Sequence, residues 1–159
     1  MKIALTGHTK GLGSAIYENL GQKHKITGFS RSNGYDIKSP MDRKRIIRES
    51  EDCNVFINLV HNYYHQTDML LEMFKSWEGS SKLIINVSSG VVDDQDWGLE
   101  RLDYIEYKNQ KIALESMGKL LTKRQSKPQI VDYRIAEINY EADVSGLNTI
   151  INEFKISKK

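Results

Sequence analysis

One stretch near the start of the chain, Thr6-Gly7-His8-Thr9-Lys10-Gly11-Leu12-Gly13, has residue types and spacing suited to holding phosphate. It follows an apolar run, Ile3-Ala4-Leu5, and precedes Ala15, Ile16 and Leu20 at helical spacing. That pattern is a strand, a glycine turn and a helix start. The N–H groups at a helix N-terminus lack intrahelical partners, and the helix dipole is positive there, so such a turn favours an anion. Glycine lets the backbone turn sharply and approach a ligand with no Cβ in the way. Gly7, Gly11 and Gly13 follow G-x-x-x-G-x-G rather than the commoner G-x-G-x-x-G. No Lys-Ser or Lys-Thr pair follows the last glycine, so the turn is not a P-loop. Alone, the motif also describes a plain helix entry.

The end of the second strand adds to the signal. Arg31 sits where an acidic residue would receive a ribose 2′-hydroxyl. An arginine there pairs instead with a 2′-phosphate and favours NADP(H) over NAD(H). The bland reading is a surface arginine. Lys10 supplies a second positive charge in the turn, and Thr9 and Leu12 are further candidate contacts. Asp36-Ile37 follows the Asn33-Gly34 turn signal; its carboxylate either accepts from an adenine amino group or caps its own turn.

These residues need elements to position them. Strands are expected over Lys2–Leu5, Ile26–Phe29, Val55–Val60, Leu83–Val87 and Gln129–Ile135. Helices are expected from Gly11 to Leu20, from Ser39-Pro40 to Glu51, up to Trp77, from Asp103 to Lys123 and from Leu147 to Phe154. Alternating strands and helices predict one α/β domain spanning the chain, a Rossmann-like three-layer arrangement around a parallel sheet of about six strands. Ligands of such sheets bind at the carboxyl ends of the strands. The 159 residues suffice for one core, and 39% apolar and 28% charged residues make the chain globular. A net charge of +2 is too small to imply nucleic acid. No apolar run approaches ~18 residues, so no membrane partner is expected. Met1-Lys2 leads straight into a strand, and the lone Cys53 excludes an internal disulfide; both suit a cytoplasmic protein.

The chain resembles the short-chain dehydrogenase/reductase family at four places in order. Thr6–Gly13 is similar to its T-G-x-x-x-G-x-G loop. Asn54-Val55-Phe56-Ile57-Asn58-Leu59-Val60-His61 resembles its D-V-L-V-N-N-A-G strand, keeping the first asparagine, Asn58. Ile85-Asn86-Val87-Ser88-Ser89 resembles I-N-I-S-S, whose second serine is catalytic. Tyr107-Lys108-Asn109-Gln110-Lys111-Ile112-Ala113-Leu114 is similar to Y-x-x-x-K-x-A-L. The resemblance implies hydride transfer between a nicotinamide and a small carbonyl or alcohol substrate. Tyr107 is then the acid/base, and Ser89 orients the carbonyl. Lys111, one helical turn on, favours the phenolate by its charge and holds the nicotinamide ribose. Asn58, Tyr107 and Lys111 join the cofactor contacts. Tyr104 and Lys108 share the spacing, but Ile112-Ala113-Leu114 favours the later frame. The resemblance also implies a homodimer or homotetramer, paired through the helices over Asn62–Trp77 and Asp103–Lys123.

The chain departs from that family too. Asn62 is the candidate for its fourth catalytic residue, or else a helix cap. The acidic stretch from Gly90 to Leu102, with Asp93, Asp94, Asp96 and Trp97, is a lid or a surface excursion. No Pro-Gly follows Tyr133-Arg134-Ile135. His61 stands where the family has glycine, and His61 and His65 lie one helical turn apart with no third metal ligand placed by sequence, so no metal is expected.

Overall fold

A computed structural model of the chain describes residues 1–93, 100–124 and 128–157. Its strands are β1 (Lys2–Thr6), β2 (Lys25–Phe29), β3 (Val55–Asn58), β4 (Leu83–Ser89) and β5 (Gln129–Ile135). Its helices are α1 (Gly11–Gly21), α2 (Pro40–Glu49), α3 (His65–Trp77), α4 (Leu102–Thr122) and α5 (Tyr140–Ile156). The strands pair parallel in the order β2-β1-β3-β4-β5. The chain leaves β1 in one direction and returns to its other side with β3. That reversal opens a crevice at the carboxyl ends of β1 and β3.

The apolar patterns sort the helices onto two faces. Ile3, Leu5, Ile57 and Ile85 meet Ile16 and Leu20 of α1 and Leu147, Ile151 and Phe154 of α5. Ala4, Phe56 and Ile84 meet Ile46 of α2, Met69, Met73 and Phe74 of α3, and Leu114 and Leu121 of α4. Alternate residues of each strand serve opposite faces, so the central strands are apolar throughout.

Among the described residues the sheet has five strands, not six. No strand forms between β2 and α2. Residues 31–33 make a 3-10 turn, Gly34 turns left-handed at φ 89°, and the Ser39 amide donates to the Asp36 carbonyl at 2.9 Å. Ser39 then caps α2 by accepting from the Asp42 amide at 3.2 Å. α5 starts at Tyr140 rather than Leu147. Its cap lies in the polar residues just before: Asn139 accepts from the Ala142 amide, and the Asp143 carboxylate accepts from the Asn139 amide, both at 3.1 Å.

Thr6 ties the crevice together. Its hydroxyl accepts from the amides of Leu59 at 3.0 Å and Val60 at 3.1 Å, fixing the chain just beyond β3 against the end of β1. Thr6→Val keeps the shape and leaves both amides without that acceptor. The expected loss is about 1–3 kcal/mol, read as a fall in Tm of roughly 2–4 °C per kcal/mol. An unchanged Tm would show that the hydroxyl does not hold this junction.

Candidate active site

The crevice holds two adjoining clefts. The larger, about 630 Å³, is lined by Gly7, Thr9, Lys10, Arg31, Asp36 and Ile37, among others. The turn needs its glycines. Gly7 lies at φ 79° and Gly11 at φ 53°. A Cβ on Gly13 would stand 1.8 Å from the Gly7 carbonyl oxygen. α1 begins at Gly11 with no side chain capping it. Beyond β2, Asn33 pins the Arg31 turn by accepting from the Ser30 amide at 2.7 Å and donating to the Gly28 carbonyl at 2.9 Å. Arg31 and Lys10 are exposed at the rim. Asp36 both lines the cleft and caps its turn, accepting from the Lys38 amide at 3.0 Å. A turn that admits no side chain, an uncapped helix start and a cationic rim fit the phosphates of a dinucleotide.

The smaller cleft, about 310 Å³, is lined by Ser89, Tyr107, Lys111, Leu12 and His61 with apolar neighbours. Ser89 ends β4, where its hydroxyl accepts from the Val91 amide at 3.3 Å. Tyr107 and Lys111 are one turn apart on α4, and the Lys111 ammonium lies 5.7 Å from the centre of the Tyr107 ring. Tyr104 and Lys108 line neither cleft. Lys111 is only 4% exposed. Its ammonium donates to Gln66 Oε1 at 2.9 Å and to the Val87 carbonyl at 3.1 Å. Burial pushes it down to about 8, against the pull of the Glu115 carboxylate. The His61 ring stands edge-on to Tyr107, with centres 4.8 Å apart. The protein packed on one side of it, and then the Lys111 charge, push its imidazolium down to about 4.

One expected residue lies elsewhere. Asn58 is fully buried and lines neither cleft. It donates to the Gln66 carbonyl at 2.9 Å and to Asn86 Oδ1 at 3.2 Å, and Asn86 donates in turn to Asp132 at 3.0 Å. These three residues stand in register on adjacent strands. Asn62 lines the larger cleft and, with Tyr107 and Gln110, a third cleft, but not the one that holds Ser89 and Lys111; its carbonyl accepts from the His65 amide at 2.9 Å. The residue that touches the lysine is Gln66, on the first turn of α3, which also donates to the carbonyls of Asn58 at 2.7 Å and Val87 at 3.0 Å. Its signal in the sequence is a polar side chain on the helix face that Met69, Leu70 and Met73 bury. His65 is paired with Asp68 at 3.0 Å. Among the described residues no group of three His, Cys, Asp or Glu side chains is placed for a metal, and no helix is long and apolar enough to cross a membrane. Asp94, Asp96 and Trp97 of the expected lid lie outside the described residues.

No protein-family model matches the chain, and no curated protein matches it by sequence. Solved structures do match. A small-chain dehydrogenase is 12% identical with a TM-score of 0.73, covering 92% of this chain and 87% of that one. The 3-alpha-hydroxysteroid dehydrogenase from Pseudomonas sp. B-0831, complexed with NADH, is 14% identical with a TM-score of 0.63, covering 86% of this chain and 71% of that one. A GDP-L-fucose synthetase from Naegleria fowleri, bound to NADP, is 15% identical with a TM-score of 0.66; the match covers 85% of this chain and 49% of that one. The chain thus has the parallel-sheet dinucleotide fold found in short-chain dehydrogenases.

The burial of Lys111 has a pH signature. Its pKa is about 8 folded against an ordinary 10.5. Below pH 8 both states hold the proton, and the cost of burying the charge is present in full. Between 8 and 10.5 the unfolded chain binds more protons, so stability rises with pH. Lys111→Met removes this contribution. Urea denaturation of the two proteins at pH 7 and pH 10.5 should show the wild type gaining about 3 kcal/mol relative to the variant. Parallel pH profiles would contradict the burial.

Proposed function

We propose that the chain is a short NADP(H)-dependent oxidoreductase of the short-chain dehydrogenase/reductase type, acting on a carbonyl or alcohol. The observation that carries this reading is that Ser89, Tyr107 and Lys111 line one cleft beside the glycine-turn cleft. Gly7, Thr9, Gly11, Leu12 and Gly13 would hold the dinucleotide's phosphates, Arg31 and Lys10 its 2′-phosphate, and Asp36 and Ile37 its adenine. When bound, the nicotinamide supplies or accepts a hydride. The chain's own part is the proton and the orientation. Tyr107 gives its phenolic proton to the substrate oxygen during reduction and takes it back during oxidation. Lys111, with its ammonium 5.7 Å from the centre of the Tyr107 ring, would hold the nicotinamide ribose. Ser89 donates a hydrogen bond that orients the carbonyl. The apolar wall of Leu59, Val87 and Ile135 keeps water from the reacting face.

The reading includes pairing of copies through α3 and α4, where Ile112 and Leu120 remain exposed; a light-scattering mass of one chain would remove that part. A second reading, a dinucleotide sensor without turnover, is supported by the His61 ring packed on Tyr107.

Titration with NADPH and NADH, followed by a carbonyl panel, separates these readings. Tighter NADPH binding is expected, together with carbonyl reduction that falls at least a hundredfold, roughly, in Tyr107→Phe with NADPH affinity unchanged. Tighter NADH binding would contradict the role given to Arg31. NADPH binding without turnover on any carbonyl would favour the sensor.

A further inference from the structure

We propose that His61 is a gate between the two clefts, whose imidazole must rotate away before the nicotinamide half of a dinucleotide can pass from the glycine turn to Tyr107. The inference rests on the dinucleotide reading above. Among the described residues, His61 alone lines both clefts. It also borders a third cleft on the other side of Tyr107, with Asn62 and Glu106. Its ring meets the Tyr107 ring at 81°, with centres 4.8 Å apart. A molecule with its phosphates on the turn and its other end beside Tyr107 must cross the ground this ring occupies.

The main chain around His61 leaves the side chain as the moving part. Just before it, the amides of Leu59 and Val60 are bonded to the Thr6 hydroxyl. Just after it, the Asn62 carbonyl accepts from the His65 amide, and Tyr63 sits at φ 46° in the left-handed region. A shift of this backbone would break bonds on both sides. Rotation about the side-chain torsions breaks only the contact with Tyr107 and the hydrogen bond to Gln110. His61 is exposed, so the ring has open solvent to move into and leaves no sealed cavity behind. The cations facing the larger cleft are Lys10 and Arg31.

A closed gate leaves the adenosine end of the cleft open and obstructs the nicotinamide end. Whole dinucleotides therefore bind with an apparent affinity lowered by the fraction of chains with the gate open. Ligands that stop at the adenosine half escape this reduction. An edge-to-face aromatic pair is worth roughly a two- to tenfold change in binding.

The test is calorimetric titration of wild type, His61→Ala and His61→Phe with NADPH and with adenosine 2′,5′-bisphosphate. His61→Ala should bind NADPH roughly two- to tenfold more tightly than wild type, with the bisphosphate unchanged. His61→Phe keeps a ring across the path and should retain the wild-type ratio of the two affinities. If His61→Ala binds NADPH no more tightly than wild type, or tightens on both ligands equally, the gate is wrong while the dinucleotide site stands. If none of the three proteins binds either ligand, the dinucleotide reading itself fails, and the gate with it.

Discussion

An ammonium group removed from water is costly unless its protons find acceptors and its charge finds a use. Lys111 is such a group. Gln66 reaches it from α3 and the Val87 carbonyl from β4, so one side chain joins three elements at the floor of the smaller cleft. Much of the site follows from that placement. Tyr107 sits one turn before the lysine on the same helix face. His61 stands against Tyr107 as a neutral ring, because protein contact and the lysine's charge both oppose its protonation. Gln66 directs its amide nitrogen to the carbonyls of Asn58 and Val87, bridging β3 and β4 beneath the site.

Behind the lysine, a second set of polar residues supports α4 on the sheet. Glu115, one turn further along, is buried against Arg134 of β5, with bonds of 2.8 and 2.6 Å. Burial pushes its carboxyl up, but the guanidinium outweighs this and holds it below the usual range. A broken pair would leave an uncompensated charge in the core, so the contact fixes how α4 lies across β5. The row Asn58, Asn86, Asp132 does similar work within the sheet. Gly118 lets α4 approach it, since a Cβ there would stand 3.2 Å from the Asp132 carboxylate.

The turn and the helix pair are readable in the sequence because their chemistry is local. Gly7, Gly11 and Gly13 are needed within one turn, and Tyr107 and Lys111 within another, so spacing alone narrows the choice. What escapes depends on contacts across the fold. Gln66 reads as one polar residue on an apolar helix face, and nothing local says that its acceptor meets an ammonium 45 positions away. Asn58 resembles a cofactor contact by motif, yet the strand register turns it inward onto Asn86. The count of about six strands belongs to the fold class, whereas the apolar runs of the sequence mark five, and five form among the described residues. The start of α5 is obscured by Glu141, Asp143 and Gly146, polar or flexible residues at the head of an otherwise apolar helix.

The strand order also decides where the sheet meets solvent. β2 is a border of the sheet, with one row of backbone groups that no further strand among the described residues covers. Such borders invite pairing with a second chain. This one is poorly suited to it. β2 has five residues, opens on Lys25 and is interrupted by Gly28, where a Cβ would collide with the His8 ring at 2.2 Å. The same glycine that makes room for His8 beside the phosphate turn thus weakens β2 as a template for aggregation, so the packing of the nucleotide cleft and the colloidal behaviour of the protein meet at a single position.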